Sequence, residues 1–439
     1  MNIKPLVKVL ASGTIANIVF TLIFNQPGNA QSLSPALYLN IVNRHCNNYA
    51  QQGKTELALV YCNQAIEIDP KLTDAYVIRG ILYARQEKLE LALADYNQAI
   101  KLNPNLGFAY ANRAAIWKKK EQTKLALADY NKAIKLNPNL TEVYINIGSL
   151  YSDLGKTKLA LINYNLGIKF NPNLAEAFIN RGLLYKKSGE FKLALADYNR
   201  AIEIEPKDTG AYNYRGNLYV KLKKFELALA DYNRAIEIDR NNIDAYYNRS
   251  EFYAKQGKTE LASIDCKKVL ELDPGYAKAY VIRGIIYVEQ KKPDLALADY
   301  NRAIKLNPNL ASAYGGRGIV YADFKKINLA LADYNRAISI DPNSSETYNN
   351  RGNLYKEQGK IELALSDYNR AISLNPNFAL AYFNRGKVYQ IQGQQKLARS
   401  DYKKSRDLFI AQDKIVYAER VDAILNTSMW STLRENLLP

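Results

Sequence analysis

The hexapeptide Ala92-Leu93-Ala94-Asp95-Tyr96-Asn97 decides the fold, because it returns along the chain at a fixed interval. Identical copies begin at Ala126, Ala194, Ala228, Ala296 and Ala330, each displaced by a multiple of 34 residues. Prolines keep the same step and delimit eleven repeats over residues 39–412; they are Pro70, Pro104, Pro138, Pro172, Pro206, Pro274, Pro308, Pro342 and Pro376. A repeat of this length is one supersecondary unit, which buries a core only by stacking on its neighbours.

Three kinds of side chain recur when residue 39 is counted as position 1 of the first repeat. Position 20 is alanine in all eleven repeats, and position 8 is always glycine, alanine, serine or cysteine. Such small residues let two helices approach closely. Tyrosine recurs at positions 4, 11 and 24, which together hold 28 of the 34 tyrosines. We therefore expect the tyrosines to pack between helices rather than to stack on bases or sugars.

In its period, its small residues and its proline at position 32, the repeat resembles the tetratricopeptide repeat (TPR). The resemblance implies an all-α fold, a right-handed α-solenoid of helix-turn-helix units. The first helix of every pair would line the concave face of this superhelix. Beyond the repeats, apolar residues recur at helical spacing between Ile415 and Leu425. We expect residues 413–439 to form a C-terminal capping helix and tail.

Composition restricts the function of this 439-residue chain. A hydrophobic content of 48% excludes an intrinsically disordered protein. With one histidine and three cysteines, the chain has at most a single set of four His and Cys ligands, which disfavours a zinc site of that kind. The segments outside the repeats are too short for a catalytic domain. We therefore predict a non-enzymatic protein with no metal, no cofactor and no catalytic residue.

The first 30 residues have the pattern of a secretory signal peptide. Two lysines precede an apolar run over residues 9–24, and small residues at positions 28–30 suit cleavage. An uncleaved membrane anchor over residues 5–24 is the alternative, and residues 31–38 are interpreted as a short linker. We expect an exported protein of the periplasm, envelope or extracellular space, with membrane contact through the N-terminus only.

The three cysteines allow two interpretations. An oxidising compartment would permit Cys46 and Cys62 to pair across the two helices of the first repeat. Against pairing, Cys62 and Cys266 occupy position 24, which is tyrosine in the other nine repeats, and Cys46 occupies the small-residue position 8. We favour three buried thiols.

Arginine at position 7 and aspartate at position 23 occur together in nine repeats. The other two repeats lack both, with His45 and Tyr61 in one and Ile147 and Asn163 in the other. An unpaired buried charge costs several kcal/mol, whereas loss of both partners is nearly neutral. Joint loss therefore indicates an ion pair within each repeat, although a history of duplication would also produce it.

Asparagine at position 6 is the main candidate for binding. The resemblance implies that positions 2, 5, 6, 9, 12 and 13 face the groove. Because an amide both donates and accepts, a row of asparagines can hydrogen-bond the main chain of an extended peptide, as in asparagine ladders of this family. The alternative is inherited consensus without a role. The six candidates are Asn112, Asn146, Asn180, Asn248, Asn350 and Asn384.

Lysines at positions 12 and 13 suggest that part of the groove prefers acidic segments; solvated lysines without a role are the alternative. The candidates are Lys118, Lys186, Lys187, Lys221 and Lys255. The predicted function is a protein-interaction scaffold that binds extended or acidic peptide segments. The alternatives are an envelope-associated assembly factor and a nucleic-acid binder. The latter is disfavoured because the net charge of +17 is its only support.

Overall fold

The computed structural model describes residues 35–426, which form 23 α-helices and, over that range, no strand. The all-α expectation is confirmed. The helices are α1 Pro35–Gln51, α2 Thr55–Ile68, α3 Thr73–Arg85, α4 Leu89–Leu102, α5 Gly107–Lys119, α6 Thr123–Leu136, α7 Thr141–Asp153, α8 Thr157–Phe170, α9 Ala175–Lys187, α10 Phe191–Ile204, α11 Thr209–Lys221, α12 Phe225–Ile238, α13 Ile243–Lys255, α14 Thr259–Leu272, α15 Ala277–Glu289, α16 Pro293–Leu306, α17 Ala311–Asp323, α18 Ile327–Ile340, α19 Ser345–Glu357, α20 Ile361–Leu374, α21 Ala379–Ile391, α22 Gln395–Ala411 and α23 Ile415–Leu425.

These helices belong to two compact halves, one ending at Leu218 and the other beginning at Tyr219. The N-terminal half holds α1 to α10 and most of α11, and the C-terminal half holds the rest. In both halves a first helix covering positions 1–13 packs along a second helix covering positions 17–30. The 34-residue period is thus a pair of helices, and the chain is a tandem solenoid of such pairs.

The chain ends differ in part from expectation. Residues 35–38 are part of helix α1, whereas the sequence analysis interpreted them as part of a linker. The predicted signal peptide lies outside the described residues, as do residues 427–439. Helix α23 packs its buried Ala418, Val421 and Leu425 into one cluster with α22.

The turn inside each repeat depends on position 15. This residue has positive φ in all eleven repeats, and it is glycine in six of them and glutamate or lysine in five. At the end of α3, Glu87 N–H bonds to Ala84 O and Lys88 N–H bonds to Tyr83 O. This is the Schellman pattern, which satisfies carbonyls left without partners at a helix end and requires a left-handed residue.

The turn between repeats depends on the Asn-Pro-Asn sequence. At the end of α4, the Oδ1 of Asn103 accepts the backbone N–H of Asn105 at 3.0 Å. The same bond closes eight further turns, with asparagine or aspartate as acceptor. Such an Asx turn, in which proline follows the acceptor residue everywhere except at Asp239, ends one helix and directs the chain into the next repeat.

The core confirms that tyrosine at position 24 packs between helices. Tyr198 is fully buried against Gly182, where an added Cβ would lie 2.7 Å from the Tyr198 Cε1. Six other glycines at position 8 face their tyrosine in the same way. Alanine at position 20 is buried in every repeat. The close approach of the two helices thus explains why these positions accept only small residues.

Candidate peptide-binding groove

The arginines at position 7 are structural. Eight of the nine predicted arginine–aspartate couples lie within one half, and all eight form an ion pair, at 2.6–2.7 Å for the closest atoms. In the tenth repeat Arg351 donates through Nε and Nη2 to both oxygens of Asp367. The prediction of an ion pair within each repeat is confirmed for these couples, so these guanidinium groups are committed to the scaffold.

The same arginine also joins neighbouring repeats, which the sequence analysis missed. Arg351 Nη1 donates to Oδ1 of Asn335, at position 25 of the preceding repeat, at 2.6 Å. Seven other arginines make the equivalent bond. The guanidinium also lies 5.5 and 5.7 Å from the rings of Tyr348 and Tyr355. The signal was present in the sequence, because position 25 is asparagine in nine of eleven repeats.

One exception shows what the inter-repeat bond does. Lys267 occupies the position at which nine of the eleven repeats have the asparagine, and among the described residues Arg283 donates side-chain hydrogen bonds to Asp299 alone. The Arg283 side chain is 33% exposed, against 18% for Arg351. The asparagine therefore helps to bury the arginine between repeats.

The two repeats without the ion pair fill its space with other groups. In the first, His45 and Tyr49 pack on Tyr61, with ring centroids 5.1 and 5.4 Å apart. In the fourth, Ile147 is 1% exposed, and the Asn163 amide donates to Leu159 O of its own helix. His45 is thus part of an aromatic cluster in the position-7 slot.

The prediction of three buried thiols is wrong for the first repeat. Cys46 and Cys62 form a disulfide bond with Cα atoms 4.9 Å apart. Positions 8 and 24, where glycine elsewhere contacts a tyrosine ring, are close enough for two cysteines to bond once the ring is absent. Cys266 is a buried free thiol as expected, and burial raises its pKa to about 12. A thiol so far from ionisation at neutral pH is unreactive.

Groove positions of the first three repeats line one cavity of about 980 Å³ in the N-terminal half. Phe108 is 56% exposed there, and the Oδ1 of Asn43 is buried without a partner among the described residues. Within residues 35–426, Arg44 and Asp74 form no ion pair. The cavity therefore offers an apolar wall beside polar groups that have no partner among residues 35–426. Its other lining residues include Asn40, Asn47, Val77, Ile78 and Leu106.

The asparagines at position 6 fall into two classes. Asn112, Asn146 and Asn180 lie on α5, α7 and α9, are half-buried, and make no side-chain hydrogen bond to any described residue. Phe108 of the cavity lies one helical turn from Asn112, so cavity and asparagines share one face. Asn248, in the C-terminal half, likewise has no partner in the described part of the chain.

The last two asparagines of the set are partly used. Asn384 Nδ2 donates to Oδ1 of Asn349 at 3.0 Å, and Asn350 Oδ1 lies 3.4 Å from Nδ2 of Asn349. Their amides are therefore not equivalent to those of the N-terminal half, where donor and acceptor are both available.

The lysines proposed for the groove are mostly engaged. Lys118 Nζ donates to Ser149 Oγ at 3.3 Å, and Lys255 pairs with Glu251 at 2.9 Å. Lys186 and Lys221 also have interactions of their own. Lys187 has no partner in the described range. A basic patch at positions 12 and 13 thus remains a prediction, with the charge of Lys255 offset by Glu251.

Two further properties bear on possible sites. Within residues 35–426, no three His, Cys, Asp or Glu side chains are grouped to hold a metal ion. The described helices include none that is both long enough and apolar enough to cross a bilayer.

Family comparisons match the repeats. Two models described as tetratricopeptide repeat coincide with single repeats or parts of them, over residues 73–106, 175–208 and 277–310, and over 47–72, 141–174 and 243–276. A third, described as TPR repeat, matches residues 118–155, 216–257, 325–359 and 352–393. None of the curated proteins compared with the chain is significantly similar to it.

Solved structures of other proteins resemble the chain in fold. The APC/C hetero-tetramer Cut9-Hcn1 is similar with a TM-score of 0.50 at 12% identity, over 90% of this chain and 99% of that one. Yeast Tom70 matches with 0.44 at 16% identity, over 88% and 96%. A tetratricopeptide repeat protein from Parabacteroides merdae matches with 0.46 at 23% identity, over 59% and 98%.

Proposed function

Because the chain belongs to the tetratricopeptide repeat family, whose members are typically scaffolds for protein interaction, we propose that it is a non-enzymatic scaffold. Its N-terminal half binds an extended peptide segment along α5, α7 and α9. The observation that carries this proposal is the row of Asn112, Asn146 and Asn180. These three half-buried amides lie on the first helices of consecutive repeats. Neither their N–H groups nor their oxygens form a hydrogen bond with any described residue.

The chemistry of the row favours main-chain recognition. Each amide donates two hydrogen bonds and accepts others, which matches the alternating N–H and C=O groups of an extended strand. The adjoining cavity supplies an apolar wall at Phe108 for one side chain of the ligand. The nucleic-acid alternative is weakened because the position-7 arginines are paired with aspartate and lie against tyrosine rings.

We also propose that the protein is exported. The pattern of residues 1–30 supports this, and the Cys46–Cys62 disulfide is a second, independent support, since such bonds persist in oxidising compartments and are rare in the cytosol. Fractionation of cells that express the full chain, with and without residues 1–30, tests export. A cytosolic full-length protein with three free thiols would contradict it.

Affinity capture from the extract of its own cell tests the binding role. The bait is the chain from Gln31 onward, and the test variant is Asn112→Ala, Asn146→Ala and Asn180→Ala combined. The control changes Asn105, Asn139 and Asn173 to alanine, since these are exposed asparagines of the turns beside the same helices. A neutral hydrogen bond contributes about 1 kcal/mol, so we expect the test variant to bind its peptide about a hundredfold more weakly.

Main-chain recognition also predicts which changes in the captured peptide segment preserve binding and which abolish it. Binding should survive exchange of side chains that do not reach the cavity, and should be lost when alternate peptide nitrogens are methylated. Equal retention by bait, test variant and control would refute the asparagine row. Nucleic acid that elutes steeply with salt would instead support the alternative function.

A further inference from the structure

A second cluster of groove residues lies in the C-terminal half, on α19 and α21. Asn350, Asn353 and Lys356 follow one another at three-residue intervals on α19, so they form one row on that helix. Lys387 lies on α21 at position 9 of the next repeat, and its Nζ is 4.4 Å from the centre of the Phe383 ring. All four residues are half-buried. We call them the donor cluster.

The hydrogen bonds around the cluster occupy its oxygen atoms. Asn350 Oδ1 accepts from Asn349, which itself accepts from Asn384. Asn353 Oδ1 accepts the hydroxyl of Tyr368 at 2.7 Å. In the described part of the chain, the Nδ2 groups of Asn350 and Asn353 donate to nothing. The two amides therefore present N–H donors, unlike the amides of Asn112, Asn146 and Asn180.

The two lysines add positive charge that no carboxylate neutralises at close range. Within residues 35–426 neither Lys356 nor Lys387 forms an ion pair. Burial and the neighbouring Lys387 ammonium lower the pKa of Lys356, and the nearby Glu357 carboxylate opposes this effect. Two half-buried ammonium groups that repel each other are a cost, which an anion between them would remove.

We propose that the donor cluster binds the carboxylates of an acidic peptide segment. Asn384, three residues before Lys387 on α21, bonds to Asn349 beside Asn350, so the two amides and the two lysines share one region of the groove. Hydrogen bonds from such donors to a carboxylate are charge-assisted. With Glu357 beside it, the cluster carries a net charge of about one, which suits carboxylates better than a doubly charged phosphate. This inference rests on the proposed function, because it takes the ligand to be a peptide.

Fluorescence anisotropy with defined probes tests the site on the chain from Gln31 onward. The probe is a labelled glycine-serine decapeptide with two adjacent glutamates, and its twin carries glutamines instead. We expect the glutamate probe to bind more tightly than its twin. The variant Lys356→Gln with Lys387→Gln should weaken the glutamate probe by about tenfold for each lysine.

The matched control is Lys360→Gln with Lys396→Gln, which removes the same charge from two exposed lysines nearby. The control should bind as the parent does. Asn350→Asp places a carboxylate where the cluster has a donor, and should weaken the glutamate probe while sparing the fold, as checked by thermal unfolding. A phosphoserine version of the probe distinguishes the two anions, and tighter binding of that version would overturn the assignment to carboxylates.

Three further results would overturn the proposal. The first is equal binding of the glutamate and glutamine probes. The second is a loss of affinity in the control variant as large as that in Lys356→Gln with Lys387→Gln, and the third is no binding of the glutamate probe at millimolar concentration. Repeating the titration with Asn112→Ala, Asn146→Ala and Asn180→Ala combined separates the two proposals. If that variant no longer binds the captured peptide segment but still binds the glutamate probe, the row of asparagines and the donor cluster are independent. Either proposal can then fail without the other.

Discussion

Replacing Arg351 by isoleucine tests the ion-pair network most directly, because this arginine makes both the ion pair within the tenth repeat and the bond to the ninth. Arg351 donates to Asp367 at 2.8 and 2.7 Å and to Asn335 at 2.6 Å. The Asp367 side chain is only 7% exposed. Removal of the arginine therefore leaves a carboxylate buried without its cation.

The size of the effect follows from that burial. Breaking a buried pair by removing one partner costs about 3–5 kcal/mol, whereas removing both partners is often close to neutral. The double variant Arg351→Ile with Asp367→Asn reproduces the combination that the fourth repeat already contains as Ile147 and Asn163. We expect it to cost roughly 1 kcal/mol, so that the two substitutions are coupled by at least about 2 kcal/mol.

Native-state hydrogen exchange of peptides from α19 and α20 measures this locally, which suits an array of repeats that opens in parts. Each 1.4 kcal/mol changes the opening equilibrium about tenfold. The single variant Arg351→Ile should thus lose roughly a hundredfold of protection or more, and the double variant about tenfold or less. Arg302→Ile, at an exposed arginine, is the control and should change protection little.

A double variant whose loss of stability equals the sum of the losses in the two single variants would refute the reasoning. The arginine and the aspartate would then contribute independently. Their joint absence from the first and fourth repeats would reflect duplication history rather than the cost of an unpaired charge.

Two other predictions concern the turns and the disulfide. Lys325 has a φ of 58°, so Lys325→Gly should raise the free energy of unfolding by about 0.5–1 kcal/mol, and Gly359→Ala should lower it by a similar amount. Unfolding temperatures that change in the same direction in both variants would contradict the requirement for a left-handed residue. Cys46→Ser with Cys62→Ser should cost about 3 kcal/mol of local stability in α1 and α2, since the disulfide spans a sequence separation of 16. The unfolded, unreduced parent should show one reactive thiol, and three would exclude the bond.

Much of the scaffold could be predicted from the sequence because each repeat packs against another repeat of similar sequence. The arginine at position 7 and the aspartate at position 23 are lost together, and that pattern predicted a contact which eight couples make. The small residues at positions 8 and 20 similarly predicted a close approach between helices. Such inferences succeed because the same local chemistry is sampled eleven times.

The bond from asparagine at position 25 to the next arginine was equally regular, yet it was missed. A residue type that recurs does not say which group of the neighbouring repeat lies opposite. The prediction that Cys46 and Cys62 are unpaired thiols was wrong for the same reason, because residue types alone do not measure the distance between positions 8 and 24. The helix register shows both, with an Arg351–Asn335 bond of 2.6 Å and cysteine Cα atoms 4.9 Å apart.

By itself, the sequence determined that the chain is a tandem array of helix pairs with arginine–aspartate pairs inside them, since both follow from a periodic pattern. Only the tertiary structure decided which groove groups remain available for a ligand. Asn112 and Asn350 occupy the same position of their repeats, but Asn350 has its oxygen occupied by Asn349, whereas Asn112 does not. Availability depends on the one or two residues that differ between repeats, and their effect appears only when neighbouring helices are brought together.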